Sequence, residues 1–382
     1  MTTRTTKLLR THGAVALLTA GVPARLPMAA YGIGLLAIGR DRYGSLAIGG
    51  ILAACYTTSA IIGGWVIGAR IGRPGFARSL LLLCSIHLAA IAALAAVAHA
   101  AVPTAAVAAL SAVVGLTVAP AGVITRAQWP SLVPVDAVGR AMLLESAADE
   151  AVFLVGPVLV TSLGQALGAE AALMAVGCVT ALGGAGLASR MAGPARSRPA
   201  ESRSAEAAPI PLITAFLLLG WAFAGVQVAA FGIAASTGRP ADAGWMLTVF
   251  SLISLLSTLL VARWVGPDGR RQQVTGFAVL AVGLIAPSIG AHSAIGFVAL
   301  SSVAAAACAP TVAAGFRRVA GSARPATLAW AAAALSTGLA IGAAVCGRLV
   351  EVAGASAVLL SGTATALIGA VLASRPMAWE RS

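Results

Sequence analysis

Apolar stretches about as long as a bilayer is thick recur along the whole chain, each separated from the next by a short polar, Gly- or Pro-containing interval. A helix needs roughly 20 apolar residues to cross about 30 Å of hydrocarbon, and alternating strands of about 10 residues do not occur, so helices are predicted rather than a barrel. Twelve crossings are predicted, over residues 13–38, 45–68, 76–98, 102–125, 140–164, 170–189, 210–236, 242–263, 273–291, 294–316, 326–349 and 354–374. Between Met191 and Pro209 the pattern lapses: Pro194, Arg196, Arg198, Pro199, Glu201, Arg203 and Glu206 make a polar linker. The chain therefore divides into an N-terminal six-helix half (1–190), a cytoplasmic linker (191–209) and a C-terminal six-helix half (210–382).

Weak internal repeats support two related halves. Ala109-Leu110-Ser111 followed by Ala119-Pro120 recurs as Ala299-Leu300-Ser301 followed by Ala309-Pro310. Ala30-Tyr31-Gly32-Ile33 recurs as Ala230-Phe231-Gly232-Ile233, and Gly156, Leu163 and Gly168 recur as Gly342, Leu349 and Gly354. The spacing between partners shrinks steadily along the chain, as shorter loops in the second half would produce. Arg4, Lys7 and Arg10 ahead of Gly13–Ala24 imitate a signal peptide, but cleavage there would remove much of the partner of the seventh segment. The expectation is an all-α integral membrane protein, twelve transmembrane helices in two pseudo-symmetric halves.

Composition narrows the class. With 59% hydrophobic residues, 10% charged residues and a mean hydropathy of +0.95, a soluble globular domain is excluded. The net charge of +13 suggests nucleic acid at first sight. The basic residues, however, come in short clusters between apolar stretches, without aromatic interleaving, so no nucleic-acid partner is expected. With both termini cytoplasmic, 20 of the 25 basic residues fall on the cytoplasmic side, as the positive-inside rule requires. The five cysteines, Cys55, Cys84, Cys178, Cys308 and Cys346, lie in apolar stretches without metal-ligand spacing, so neither disulfides nor metal sites are expected. No phosphate-binding loop, zinc-protease motif or nucleophile elbow is present, which argues against an enzyme and implies no cofactor.

The candidate chemistry lies where acids meet an apolar run, Glu145-Ser-Ala-Ala-Asp149-Glu150 through Phe153 to Gly156-Pro157. If Asp136 caps this helix and Arg140 marks the membrane surface, Asp149 sits roughly 13 Å in, at about 1.5 Å per residue. Glu145 and Asp149 share one face, and Glu150 points about 100° away. Charged carboxylates at that depth are costly unless a cation pairs with them, which makes the three candidates for loading and releasing protons. Arg25 is the natural partner, because it lies mid-segment between Pro23 and Pro27, in a run that must kink or break. It is a candidate for proton coupling and for substrate binding alike. His87 is read as a neutral, hydrogen-bonded interior residue. Trp65, Trp129, Trp245, Trp264, Trp330 and Trp379 fall near segment ends and read as an interfacial belt. Trp221 sits near mid-membrane, six residues before Gln227, and this pair is the candidate lining for an amphipathic organic substrate.

At this point the whole chain resembles the major facilitator superfamily, and its bacterial drug-efflux-like members in particular. That family's loop signature after the second segment, Gly-x-Leu-x-Asp-Arg-x-Gly-Arg, is matched by Arg70, Gly72 and Arg73; Gly64 is displaced by one, and Ala69 replaces the aspartate. The mirrored loop keeps Arg263 and Gly266. Gly156 and Pro157 fit the exporters' Gly-Pro-x-x-Gly-Gly signature, whereas Val160 and Thr161 do not. The resemblance implies a gating loop at Arg70, Gly72 and Arg73. It also implies a proton-coupled secondary transporter that exports a small amphipathic compound from a bacterial cytoplasm, working as a monomer in membrane lipid. The alternatives are a same-fold importer or facilitator of a small polar solute, and a transporter-like receptor or scaffold.

Overall fold

A computed structural model describes residues 13–100, 102–191, 210–261, 269–320 and 325–377. The linker, Arg263, Trp264, Gly266, Trp379 and the side chains of Asp136 and Arg140 lie outside the described residues. Everything described is helix or short connection. In chain order the helices are α1 (Ala14–Ala24), α2 (Pro27–Tyr43), α3 (Leu46–Gly68), α4 (Phe76–His99), α5 (Thr104–Thr117), α6 (Ala121–Leu132) and α7 (Val135–Leu167). They continue as α8 (Ala169–Arg190), α9 (Ile210–Ser236), α10 (Asp242–Val261), α11 (Gly269–Gly290), α12 (Ala294–Ala320) and α13 (Pro325–Ala373).

Among the described residues 11 stretches are long and apolar enough to cross a membrane. The last of them, Trp330–Ala373, runs for 44 residues, about twice what one crossing takes. Its backbone is broken at Gly354, where φ is 76° and ψ 176°, so it accounts for two crossings and brings the number to the twelve expected. The protein is a multi-pass helical membrane protein.

Prolines explain where single crossings are built from two helices. At the α1–α2 junction the helix tightens: Arg25 N–H donates to the Val22 carbonyl (3.1 Å) and Leu26 N–H to that of Pro23 (3.2 Å). Pro27, lacking an N–H, opens α2. The α5–α6 junction breaks in the same way at Pro120. The start of α7 differs from expectation. Its N-cap is Pro134 with no side-chain cap, and Asp136 lies inside the helix. Glu145 is therefore ten residues beyond the helix start, roughly 15 Å along it, and the acids do not sit at a helix terminus.

Packing divides the chain into two compact units, Met1–Gly34 with Ser59–Ser202, and Leu35–Thr58 with Arg203–Ser382. In the first, α1 packs on α8 and α6, α4 on α8 and α5, and α7 on α6 and α8. Leu17, Phe76, Leu80, Ile124 and Leu187 fill the space between them. In the second, α9 lies along α13, and α11 packs on α12 and α13.

Lipid tails are as apolar as leucine, so close van der Waals contact rather than burial holds such helices together. The α9–α13 contact shows how. A Cβ on Gly338 would run into the Leu217 carbonyl, and one on Gly220 into that of Leu335. Gly338→Val is expected to cost about 1–3 kcal/mol through overpacking, seen as a lower melting temperature in detergent. An unchanged melting temperature would mean that the two helices do not depend on this approach.

Candidate functional site

The acids on α7 meet two arginines and two further polar groups in the first unit. Arg25, at the α1–α2 junction, and Glu145 both have fully buried side chains and form an ion pair through Arg25 Nη2 and Glu145 Oε2. The same Nη2 also donates to Thr125 Oγ1 on α6. Thr125 in turn donates to Glu145 Oε2 (2.7 Å), and Trp129 Nε1 donates to Glu145 Oε1 (2.7 Å). Both Glu145 oxygens are thus occupied by donors, and the group has no exposure to solvent.

Asp149, one turn further along α7, is held differently. Its Oδ1 lies 3.1 Å from Arg25 Nε, and its Oδ2 accepts from Arg126 Nη2 at 2.5 Å. The Asp149 side chain keeps 20% of its exposure and that of Arg126 keeps 38%, so this end of the network reaches the surface of the unit. The charges balance, two guanidiniums against two carboxylates. The hydrogen bonding does not: Arg25 Nε and Nη1 and Asp149 Oδ1 are buried without a hydrogen-bond partner among the described residues. Glu150 is half-buried beside Asp149, off the face that carries the ion pairs.

A separate polar group lies nearby in the sequence. Tyr31 Oη sits 2.8 Å from His87 Nε2, and Thr117 Oγ1 is 3.2 Å from His87 Nδ1. The Thr117 hydroxyl donates to the Val113 carbonyl (2.9 Å), so it accepts from His87 Nδ1–H and leaves Nε2 to accept from tyrosine. That pattern is the neutral imidazole.

No protein-family model matches this sequence, and no curated protein matches it. Solved structures do. The chain covers 94% of its own length and 98% of the other's against a variant of the nucleoside transporter NupG, with a TM-score of 0.71 and 13% identity. A POT family transporter in complex with a thioalcohol-conjugated peptide aligns over 94% of this chain and 95% of its own, with a TM-score of 0.67 and 13% identity. An auto-inhibited POT family peptide transporter aligns over 96% of this chain and 99% of its own, at 0.66 and 11%. The fold is the major facilitator fold.

Within that fold the other expected site residues are placed as follows. Trp221 and Gln227 are both half-buried on α9, but six residues apart they face directions about 120° apart on a helix of 3.6 residues per turn. Trp221 Nε1 points to Ser361 Oγ (3.4 Å), and Cys346 Sγ lies 3.9 Å from the same hydroxyl. Gln227 is not part of that group. Arg70 and Arg73 are exposed in the turn after α3, where Gly72 takes the left-handed conformation, φ 81°.

Sequence reasoning missed Thr125, Arg126 and Trp129. Arg126 reads as one more cytoplasmic arginine, and Trp129 as part of the interfacial belt. That reading of Trp129 is corrected: the side chain is completely buried, because its indole N–H serves a buried carboxylate. Trp65 and Trp330, by contrast, are 54% and 45% exposed. One signal was available. Thr125 and Trp129 are four residues apart, as are Glu145 and Asp149, and such spacing puts each pair on one helix face.

Proposed function

We propose that the protein is a proton-coupled secondary transporter for a small organic solute, with Asp149 as the group that binds the coupling proton. One observation carries this reading: a charge-balanced network inside a membrane helix bundle in which one carboxylate is sealed and the other reaches the surface. Ionisable groups within crossings are expensive and are kept where a pathway needs them. Glu145, enclosed by three donors, anchors Arg25. Asp149 is the carboxylate that can exchange a proton, and protonation removes the negative charge on which both guanidiniums converge. Glu150 adjoins the same group as a second proton acceptor.

The direction of transport has two readings. Gly156 and Pro157 favour export of an amphipathic compound. The names of the similar structures, nucleoside and peptide transporters, favour a more polar solute, as the uptake alternative supposes. Purified protein in liposomes, challenged with a compound panel under an imposed pH gradient, tests the proposal. Solute flux that follows the gradient and reverses with it supports coupling, and the sign of flux separates export from uptake. Flux indifferent to the gradient for every compound that moves, or no movement of any compound, rejects it.

A further inference from the structure

We infer that the solute is a small organic anion, a carboxylate or a phosphate monoester, held between Arg25 and Arg126 in place of the Asp149 carboxylate. This rests on the proton-coupled reading above. A guanidinium carries five N–H donors in a fixed plane. Arg25 spends those on Nη2 with Glu145 and Thr125, while Nε and Nη1 are buried with no hydrogen-bond acceptor among the described residues. Asp149 supplies charge there but not geometry: its Oδ1 is 3.1 Å from Nε and is itself without a hydrogen bond. The carboxylate therefore balances the arginine without saturating it.

The second arginine converges on the same place. Around Gly122 on α6, a Cβ would lie 3.5 Å from Arg25 Nε and 2.8 Å from Arg126 Nη1, so the bare backbone lets two guanidiniums flank one spot. Arg126 also donates to the Gly122 carbonyl (3.3 Å), which fixes its reach along α6. The charged groups facing Asp149 are Arg25 from the α1–α2 junction and Arg126 from α6; on its own helix Glu145 shares that face and Glu150 lies off it. When Asp149 is protonated, two cations face one remaining paired carboxylate on this side.

Three kinds of solute respond differently to that state. A cation meets two guanidiniums and a single carboxylate, Glu145, whose oxygens are already occupied by donors. A neutral molecule leaves the positive charge uncompensated. An anion restores the balance and brings acceptors for the idle Nε–H and Nη1–H donors, in the planar arrangement that suits carboxylate and phosphate oxygens. When the anion is a monoanion, a carboxylate or a singly charged phosphate monoester, proton and anion bind together, their charges cancel, and the loaded carrier moves no net charge. Such a carrier responds to a pH gradient but not to membrane potential, and it takes the anion in the direction the proton runs.

Full-length protein in detergent, probed with matched pairs, tests this: benzoate against benzamide for the carboxylate, phenyl phosphate against phenol for the phosphate, read as ligand protection against thermal unfolding. At mildly acid pH at least one anion is expected to bind about tenfold more tightly than its neutral partner. Arg126→Gln is expected to erase that difference and Arg126→Lys to restore part of it, while Asp149→Asn keeps the preference and loses its dependence on pH. Arg126 is chosen because its side chain is partly exposed, whereas replacing the buried Arg25 endangers folding. If no anion outbinds its neutral partner, including the case in which nothing binds, the inference is overturned. It is also overturned if the preference survives Arg126→Gln undiminished. If the wild type prefers anions equally at acid and alkaline pH, the proton-coupled reading fails while the anion site stands.

Discussion

Glu145→Gln is expected to destabilise the protein by about 3–5 kcal/mol, the cost of removing one member of a buried ion pair. The glutamate accepts three hydrogen bonds, from Arg25 and Thr125 on Oε2 and from Trp129 on Oε1. Glutamine has one carbonyl oxygen to offer these donors and turns an NH2 group toward at least one of them, in a place without solvent. It also leaves the Arg25 guanidinium with only the partly exposed Asp149 for charge. Thermal unfolding in detergent measures the loss. A double replacement, Arg25→Leu with Glu145→Leu, is expected to recover part of it, because two apolar side chains need no partners and Asp149 and Arg126 still balance each other, while the buried Trp129 N–H loses its acceptor. If Glu145→Gln melts with the wild type, Glu145 is not the anchor of Arg25 and the division of labour between the two carboxylates is wrong.

Asp149→Asn is expected to fold and to lose coupling. The asparagine carbonyl still accepts from Arg126, so the contact that crosses from α7 to α6 survives at reduced strength. What disappears is the charge and the proton-binding group. One pH unit is worth about 1.4 kcal/mol, so a carrier moving one proton per solute concentrates that solute about tenfold per unit of gradient. The variant is expected to concentrate it not at all, while exchange of labelled for unlabelled solute across the same membrane continues. Accumulation of the wild-type size in Asp149→Asn would transfer the proton-binding role to another residue, with Glu150 the first to test by Glu150→Gln. Loss of both accumulation and exchange, in protein that is folded, would instead make Asp149 part of the solute contact.

The contrast between the carboxylates is the point on which both expectations turn. They stand one helical turn apart and look equivalent in the chain. Glu145 faces the interior of the first unit, where Thr125 and Trp129 supply neutral donors. Asp149 faces the side on which Arg126 is open to the surface. Burial and partner count therefore assign opposite roles to chemically similar groups: the saturated one holds position and the unsaturated one can change state.

Much of this protein is legible in its sequence because a bilayer imposes a local rule. Each crossing must satisfy its own backbone hydrogen bonds and present apolar side chains, so hydropathy alone locates the helices. The break at Pro23 to Pro27 follows from the missing proline N–H. The costly residues, Arg25, Glu145 and Asp149, stand out against the same apolar background. Which groups meet is another matter. Arg25 and Glu145 are 120 positions apart, and the partners on α6 lie 16 to 23 positions from the acids they bind. No local pattern records those distances, since they are fixed by how α1, α6 and α7 pack. Hence Trp129 has the sequence position of an interfacial residue and the environment of a core one, and Arg126 reads as a topological marker although it is a ligand of Asp149. The sequence by itself determined the crossings, their breaks and the presence of buried charge. Only the tertiary structure decided that Glu145 is sealed and Asp149 open, because hydrogen-bond saturation depends on side chains from helices that the chain reaches long before or after.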